Sequence, residues 1–227
     1  MAETIIAQDV KHDPVVKAKD FWTRNSKVIL GVGLILLLAV GGFYVYKHFI
    51  QAPKEDKAAE AMFKAEYYYR NDSLQLALNG DGQNQGFLRI ISSYGGTRAG
   101  NLAKFYAGSC YIKLDDNANA VKYLKDFDTD AKQIQQRAWS LLGDAYADQG
   151  KTKDALEYYK KAGHHFDSDI AASAESLFRA AYLAQRVMKD NDEAIKLYKE
   201  IKEKYPTTTQ AADADNYLAQ LGVYNVD

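Results

Sequence analysis

His164 and His165 are adjacent, and imidazole is the commonest protein ligand for metal ions. Neighbours on a helix point about 100° apart, so such a pair does not close on one ion. No flanking cysteine or well-spaced carboxylate completes a tetrahedral zinc set. The loop Asn79-Gly80-Asp81-Gly82-Gln83-Asn84-Gln85-Gly86 has glycines that could cradle phosphate. A phosphate loop also needs a preceding strand and a Gly-Lys-Ser/Thr sequence, and neither is present. The calcium-loop carboxylate pattern with its closing glutamate is missing too, so the segment reads as a flexible connector. Tyr94-Gly95-Gly96-Thr97 reads as a helix stop followed by a turn.

Cys110 is the single cysteine, which rules out an internal disulfide. It lies in a helical pattern between Gly108 and Tyr111 with no identifiable base, and is expected to be a small buried thiol. No H-E-x-x-H, G-x-S-x-G or kinase-like set occurs, and paired carboxylates fall only where helix-surface charge is ordinary. No catalytic residue, metal or cofactor is therefore expected, and the chain reads as a binding protein, not an enzyme.

The elements that would carry such a function are helical. The 227 residues hold three prolines against 15 glycines and 17 tyrosines, and no alternating β-branched run stands out. A formal net charge of -1 gives no reason to expect nucleic acid as a partner.

Val28 to Tyr46 contains no charged residue in a chain whose mean hydropathy is -0.41. At about 1.5 Å per residue this stretch spans the roughly 30 Å hydrocarbon core of a bilayer. Phe21 and Trp22 near one end, and Tyr44 and Tyr46 at the other, suit the interfaces. The long preceding tail, and the lack of a small-x-small site after the run, favour an uncleaved anchor over a signal peptide. The tail carries Lys11, Lys17, Lys19, Arg24 and Lys27 against Lys47, Lys54 and Lys57 on the far side. That balance predicts a cytoplasmic N-terminus. Residues 1–27 form the tail, with Asp13 as a cap and Pro14 opening a short amphipathic helix whose face holds Val15, Ala18 and Trp22. That helix could lie on the bilayer, dock a partner, or simply extend the anchor. Residues 47–55 are expected to be a linker.

The remainder, 56–227, repeats. Trp139-x-x-Leu142-Gly143-x-x-Tyr146, then Ala155, Tyr159 and Ala162, fits the tetratricopeptide-repeat (TPR) pattern. Gly108, Tyr111 and Ala120 precede Gly143, Tyr146 and Ala155 by 35 residues each. A third unit carries Phe178, Ala181, Ala194, Tyr198 and Pro206. Its alanine lies 39 residues after Ala155, which places extra residues near Ile170 to Ala174 and lengthens its first helix. The fold is therefore read as all-α: one transmembrane helix followed by a TPR-like α-solenoid. Its parts are a degenerate helical pair at 56–96, repeats at about 101–134, 136–169 and 175–208, and a capping helix at 209–221.

Small Gly143 and Ala155 let antiparallel helices approach, while Trp139, Tyr146 and Tyr159 are packing residues expected to fill the space between successive hairpins. Side chains one place further on should line a concave face built from first helices. The candidates are Phe105, Ser109 and Ile112, then Arg137, Ser140, Asp144 and Asp148, then Arg179, Leu183 and Arg186. Charge reversal at Arg179 and Arg186 is expected to weaken partner capture without unfolding. A carboxylate clamp for acidic peptide tails needs an asparagine where this chain has Ser109, Asp144 and Leu183, so that ligand class is not expected.

A charged tail, one anchor, a degenerate pair and three repeats together resemble the YfgM family, the ancillary subunit of the SecYEG translocon. Val16-Lys17, Phe21-Trp22 and Asn25-Ser26-Lys27 look like its juxtamembrane segment. Tyr94-Gly95-Gly96-Thr97 and Ala99-Gly100-Asn101-Leu102-Ala103 look like the approach to its first clear repeat. The resemblance implies an inner-membrane protein with periplasmic repeats. The partners it implies are the translocon, a PpiD-type membrane-anchored chaperone and exported polypeptides. Tyr205-Pro206-Thr207-Thr208-Thr209-x-Ala211-Ala212 instead looks like the repeat junction of envelope TPR proteins serving outer-membrane or Tol systems. A generic cell-envelope scaffold is the alternative.

Overall fold

The computed structural model describes residues 14–224, so the expected Asp13 cap and Lys11 lie outside the described residues. The chain divides into two units at the Pro53/Lys54 junction, and each is taken by itself.

In the first unit, α1 runs from Pro14 to Val45, 32 residues or about 48 Å. Proline opens it because its missing N–H would have no partner in the first turn anyway. The helix is uninterrupted, so the amphipathic tail helix is the beginning of α1 and extends the apolar stretch. Every side chain from Val28 to Val45 is exposed in the chain by itself. A helix of this length and apolarity satisfies the requirement for crossing a membrane. A π-helical turn follows at Tyr46–Gln51 and closes with the Ala52 N–H donating to the Lys47 carbonyl. The expected linker at 47–55 is therefore helical. No glycine interrupts it, and Pro53 falls in the first turn of the next helix, where it is tolerated.

The second unit is a succession of helical hairpins. Helix α2 (Ala52–Arg70) is followed by α3 (Leu74–Asn79) and α4 (Phe87–Tyr94). Then come the pairs α5 (Arg98–Lys113) and α6 (Asn117–Lys125), and α7 (Lys132–Asp148) and α8 (Thr152–Gly163). The third pair is α9 (Ile170–Leu183), extended by a π-helical turn at Ala184–Met188, and α10 (Asn191–Lys204). Helix α11 (Thr209–Gln220) ends the series. No strand occurs among the described residues, which hold a single isolated bridge between Gly80 and Gln85.

Local chemistry sets these boundaries. Thr97, Asp116, Asp169, Asp190 and Thr208 each accept a hydrogen bond from a first-turn N–H of the helix they cap. The first helix of each hairpin stops at a left-handed residue: Asp72, Asp115, Gly150 and Lys189, with φ of 55°, 57°, 70° and 59°. The recurrence of this stop at Asp72 identifies α2–α3 as a hairpin of the same kind. Its second helix is broken into α3 and α4 by the loop Asn79–Gly86. The Glu55 carboxylate accepts from the Arg98 and Ala99 N–H groups at 3.0 and 3.1 Å, tying the start of α2 to the N-terminus of α5.

Packing repeats as the spacing predicts. A Cβ at Gly108 would lie 2.4 Å from Leu124, and one at Gly143 would lie 2.4 Å from the Tyr159 ring. Tyr111 stacks on Tyr123 at 5.6 Å and Tyr146 on Tyr158 at 5.5 Å, so these contacts also recur one repeat later. Tyr159 packs against Gly143 within its own hairpin. One core cluster holds Met62, Leu78, Phe87, Ile90 and Cys110, and the other runs from Ala120 to Leu218. Leu102 and Tyr111 touch both, so the degenerate hairpin and the repeats share apolar surface. The extra residues of the third unit are not near Ile170 to Ala174. They lie in the longer α8 and in the π-helical turn that ends α9.

Candidate functional site

The first helices α5, α7 and α9 carry the ten residues expected on the concave face, but only some reach solvent. Ser109 and Ser140 are buried, and the Ser109 hydroxyl donates to the Phe105 carbonyl at 2.9 Å. Phe105 and Ile112 are half-buried against the core. Arg137, Asp148 and Arg186 are exposed.

Asp144 and Arg179 meet across adjacent repeats. The Arg179 guanidinium donates to Asp144 at 2.5 Å and to Glu175 at 2.8 Å. Asp144 also accepts from the Tyr159 hydroxyl at 2.8 Å, and Glu175 accepts from the Gln210 amide at 2.8 Å. A polar chain thus links α8, α7, α9 and α11. Burial by itself would raise Glu175, but Arg179 and Gln210 outweigh it and hold the carboxyl below its usual range. Burial, and then the neighbouring Asp144 charge, push the Tyr159 phenol up. Arg179 is therefore a committed cation. Reversing its charge would set a third carboxylate beside Asp144 and Glu175, disturbing packing as well as any bound partner. Arg186 behaves differently: it donates to Gln220 at 2.7 Å and lies over the Tyr217 ring.

Beside this network α7, α8, α9 and α11 line an open cavity of 510 Å³. Phe178, Tyr182, Leu183, Val187 and Tyr217 form its walls, with Ala147, Tyr159, Glu175 and Arg179 completing them. Of these wall residues, spacing along the first helices points to Arg179 and Leu183 as face residues. Val187 escapes that reading because the π-helical turn breaks the 3.6-residue periodicity, and Tyr217 enters from the capping helix. The signal available in the sequence was the enlarged period of the third unit.

The other candidates have structural partners. His164 bonds Glu200 at 2.9 Å, while His165 packs edge-on against Trp139 at 4.5 Å. The two rings therefore serve different neighbours, and no cluster able to hold a metal occurs among the described residues. Burial, reinforced by Lys132 and Lys161, depresses the His165 pKa. The loop expected to be flexible is tied down by Asp81. Its carboxylate accepts from the Gln83 and Asn84 N–H groups, the Asn84 amide and the Tyr68 hydroxyl. Cys110 is fully buried, and burial pushes its thiol up to about 12, away from the reactive thiolate.

Comparison with protein families finds repeats in the second unit. A tetratricopeptide-repeat model matches residues 102–130 and 175–208, and a second tetratricopeptide-repeat model matches 136–166. No curated protein matches the chain. The chain carries TPR repeats, units whose general role is to hold protein partners.

Proposed function

We propose that these repeats form a membrane-tethered adaptor that acts outside the cytoplasm on polypeptides leaving an export channel. The observation that carries this reading is the order of the parts. A lysine-bearing tail and one apolar helix able to cross a bilayer directly precede the repeat unit. The positive-inside balance then favours a cytoplasmic tail and an extracytoplasmic, periplasmic repeat unit. Anchoring raises the effective concentration of the repeats at the membrane, so weak protein contacts suffice there. The resemblance to the YfgM family supports SecYEG as the neighbour. It also supports a PpiD-type chaperone and emerging chains as partners of the face carried by α5, α7 and α9.

Purification of the tagged chain from its own membranes in mild detergent tests this reading, with a version whose residues 28–46 are replaced by an unrelated anchor as the control. Enrichment of translocon subunits or a tethered chaperone that depends on the native anchor supports an export accessory. Enrichment of outer-membrane or cell-wall machinery, whichever anchor is present, supports a generic envelope scaffold and overturns the export role.

A further inference from the structure

The cavity between α7, α9 and α11 has a defined electrostatic character. At 510 Å³ it falls within the range of sites that enclose a small group. Its two charged wall residues, Glu175 and Arg179, are bonded to each other. Arg179 is further neutralised by Asp144, and Glu175 is further engaged by Gln210. Arg186, the next cation along α9 and its π-helical extension, is held by Gln220 and the Tyr217 ring. Among the described residues that line the cavity, each charged group is already committed to a partner of opposite charge or to an amide. The charge-matched occupant is therefore uncharged.

The walls specify it further. Tyr217 stacks on Tyr198 at 5.3 Å and meets Phe178 edge-on at 5.5 Å, giving an aromatic surface fixed by the core behind it. Tyr182 and Val187 are 44% and 55% exposed and stand at the opening. A pre-formed aromatic wall with apolar residues at its mouth is suited to edge-to-face or offset contact with another ring.

We infer that this cavity seats an uncharged aromatic side chain of the bound polypeptide and anchors it there. The inference rests on the protein-binding function proposed above and adds what the face selects. Recognition comes from one buried ring, in the manner of an interface hot spot, with the polar chain beside it excluding charged residues.

The test uses the full chain in detergent micelles with its leucine and valine methyl groups observed by NMR. The probes are N-acetyl-tryptophanamide and N-acetyl-aspartamide. Saturable shifts at Leu183 with the tryptophan probe alone are expected. Val187→Asp, a change at an exposed position, should weaken them at least about fivefold. If Val187→Asp perturbs the fold, Tyr182→Ser is the second variant and should weaken binding likewise. Equal response to both probes, or tryptophan binding indifferent to both variants, overturns the inference. A photo-crosslinker at position 182 in native membranes separates the two levels. Protein adducts without selective probe binding would leave the adaptor reading standing and remove the aromatic anchor. Probe binding without any protein adduct would overturn the adaptor reading, and the anchor with it.

Discussion

Gly143→Ala tests the repeat packing most sharply, because two effects of opposite sign are known in advance. In the middle of α7, alanine is the better helix former by about 1 kcal/mol. Its methyl, however, would lie 2.4 Å from Cδ1 and 2.5 Å from Cε1 of Tyr159, a buried ring 6% exposed. Carbon atoms in contact sit at about 3.5–4.0 Å, so the ring must retreat by about 1 Å. The Tyr159 hydroxyl is fixed to Asp144 at 2.8 Å, so the retreat also stretches a hydrogen bond. Overpacking costs about 1–3 kcal/mol and loss of the bond about 1, which leaves a net destabilisation of about 2 kcal/mol. For a domain of this size that lowers Tm by roughly 4–8 °C. In a Tyr159→Ala background the clash is gone and the same substitution should stabilise by about 1 kcal/mol. Unfolding is followed by Trp139 fluorescence with Trp22→Phe removing the only other tryptophan. If Gly143→Ala raises Tm equally in both backgrounds, Tyr159 does not pack on Gly143 and the hairpin geometry is wrong.

Lys189 holds φ at 59° in the α9–α10 turn, so Lys189→Gly should stabilise the unit by about 0.5–1 kcal/mol in thermal unfolding, with no gain if the turn is not left-handed. Removing the guanidinium with Arg179→Ala leaves Asp144 and Glu175 without their shared cation and should cost roughly 1–2 kcal/mol. Arg186→Ala, at an exposed side chain, should cost under about 0.5 kcal/mol, and equal effects would refute the network. The depressed His165 pKa makes the unfolded chain bind the proton first. Stability from this group is present above its ordinary value of 6.5 and is lost as pH falls from there through the lower folded value. His165→Phe should flatten that part of the stability–pH curve, and an unchanged slope would exclude His165 as its source.

Much of this architecture was legible because repeat packing writes itself in spacing. Gly108 and Gly143, Tyr111 and Tyr146, and Ala120 and Ala155 keep one period, and the structure uses each pair in the same contact or layer. The long apolar helix was legible because Val28 to Tyr46 carries no charged residue and is long enough to cross a bilayer. Less was legible where periodicity fails. The linker at 47–55 proved helical because nothing in it breaks a helix. The π-helical turn at Ala184–Met188 set Val187 in the cavity wall, out of reach of a 3.6-residue count. Ser109 and Ser140 share the face by register, yet neighbouring helices cover them. Arg179 is paired with Asp144, which stands 35 residues away in sequence. Long-range pairing of that kind leaves no local pattern.

The most direct test of the adaptor reading places a photo-crosslinking amino acid at Asp148 or Arg186 on the first-helix side, and at Lys153 or Lys199 on second helices, in cells carrying the native anchor. All four positions are exposed. Discrete protein adducts from Asp148 and Arg186 but not from Lys153 and Lys199 are the predicted result. Adducts confined to the second helices, or none from any position, would contradict a role in holding protein partners on the repeat face.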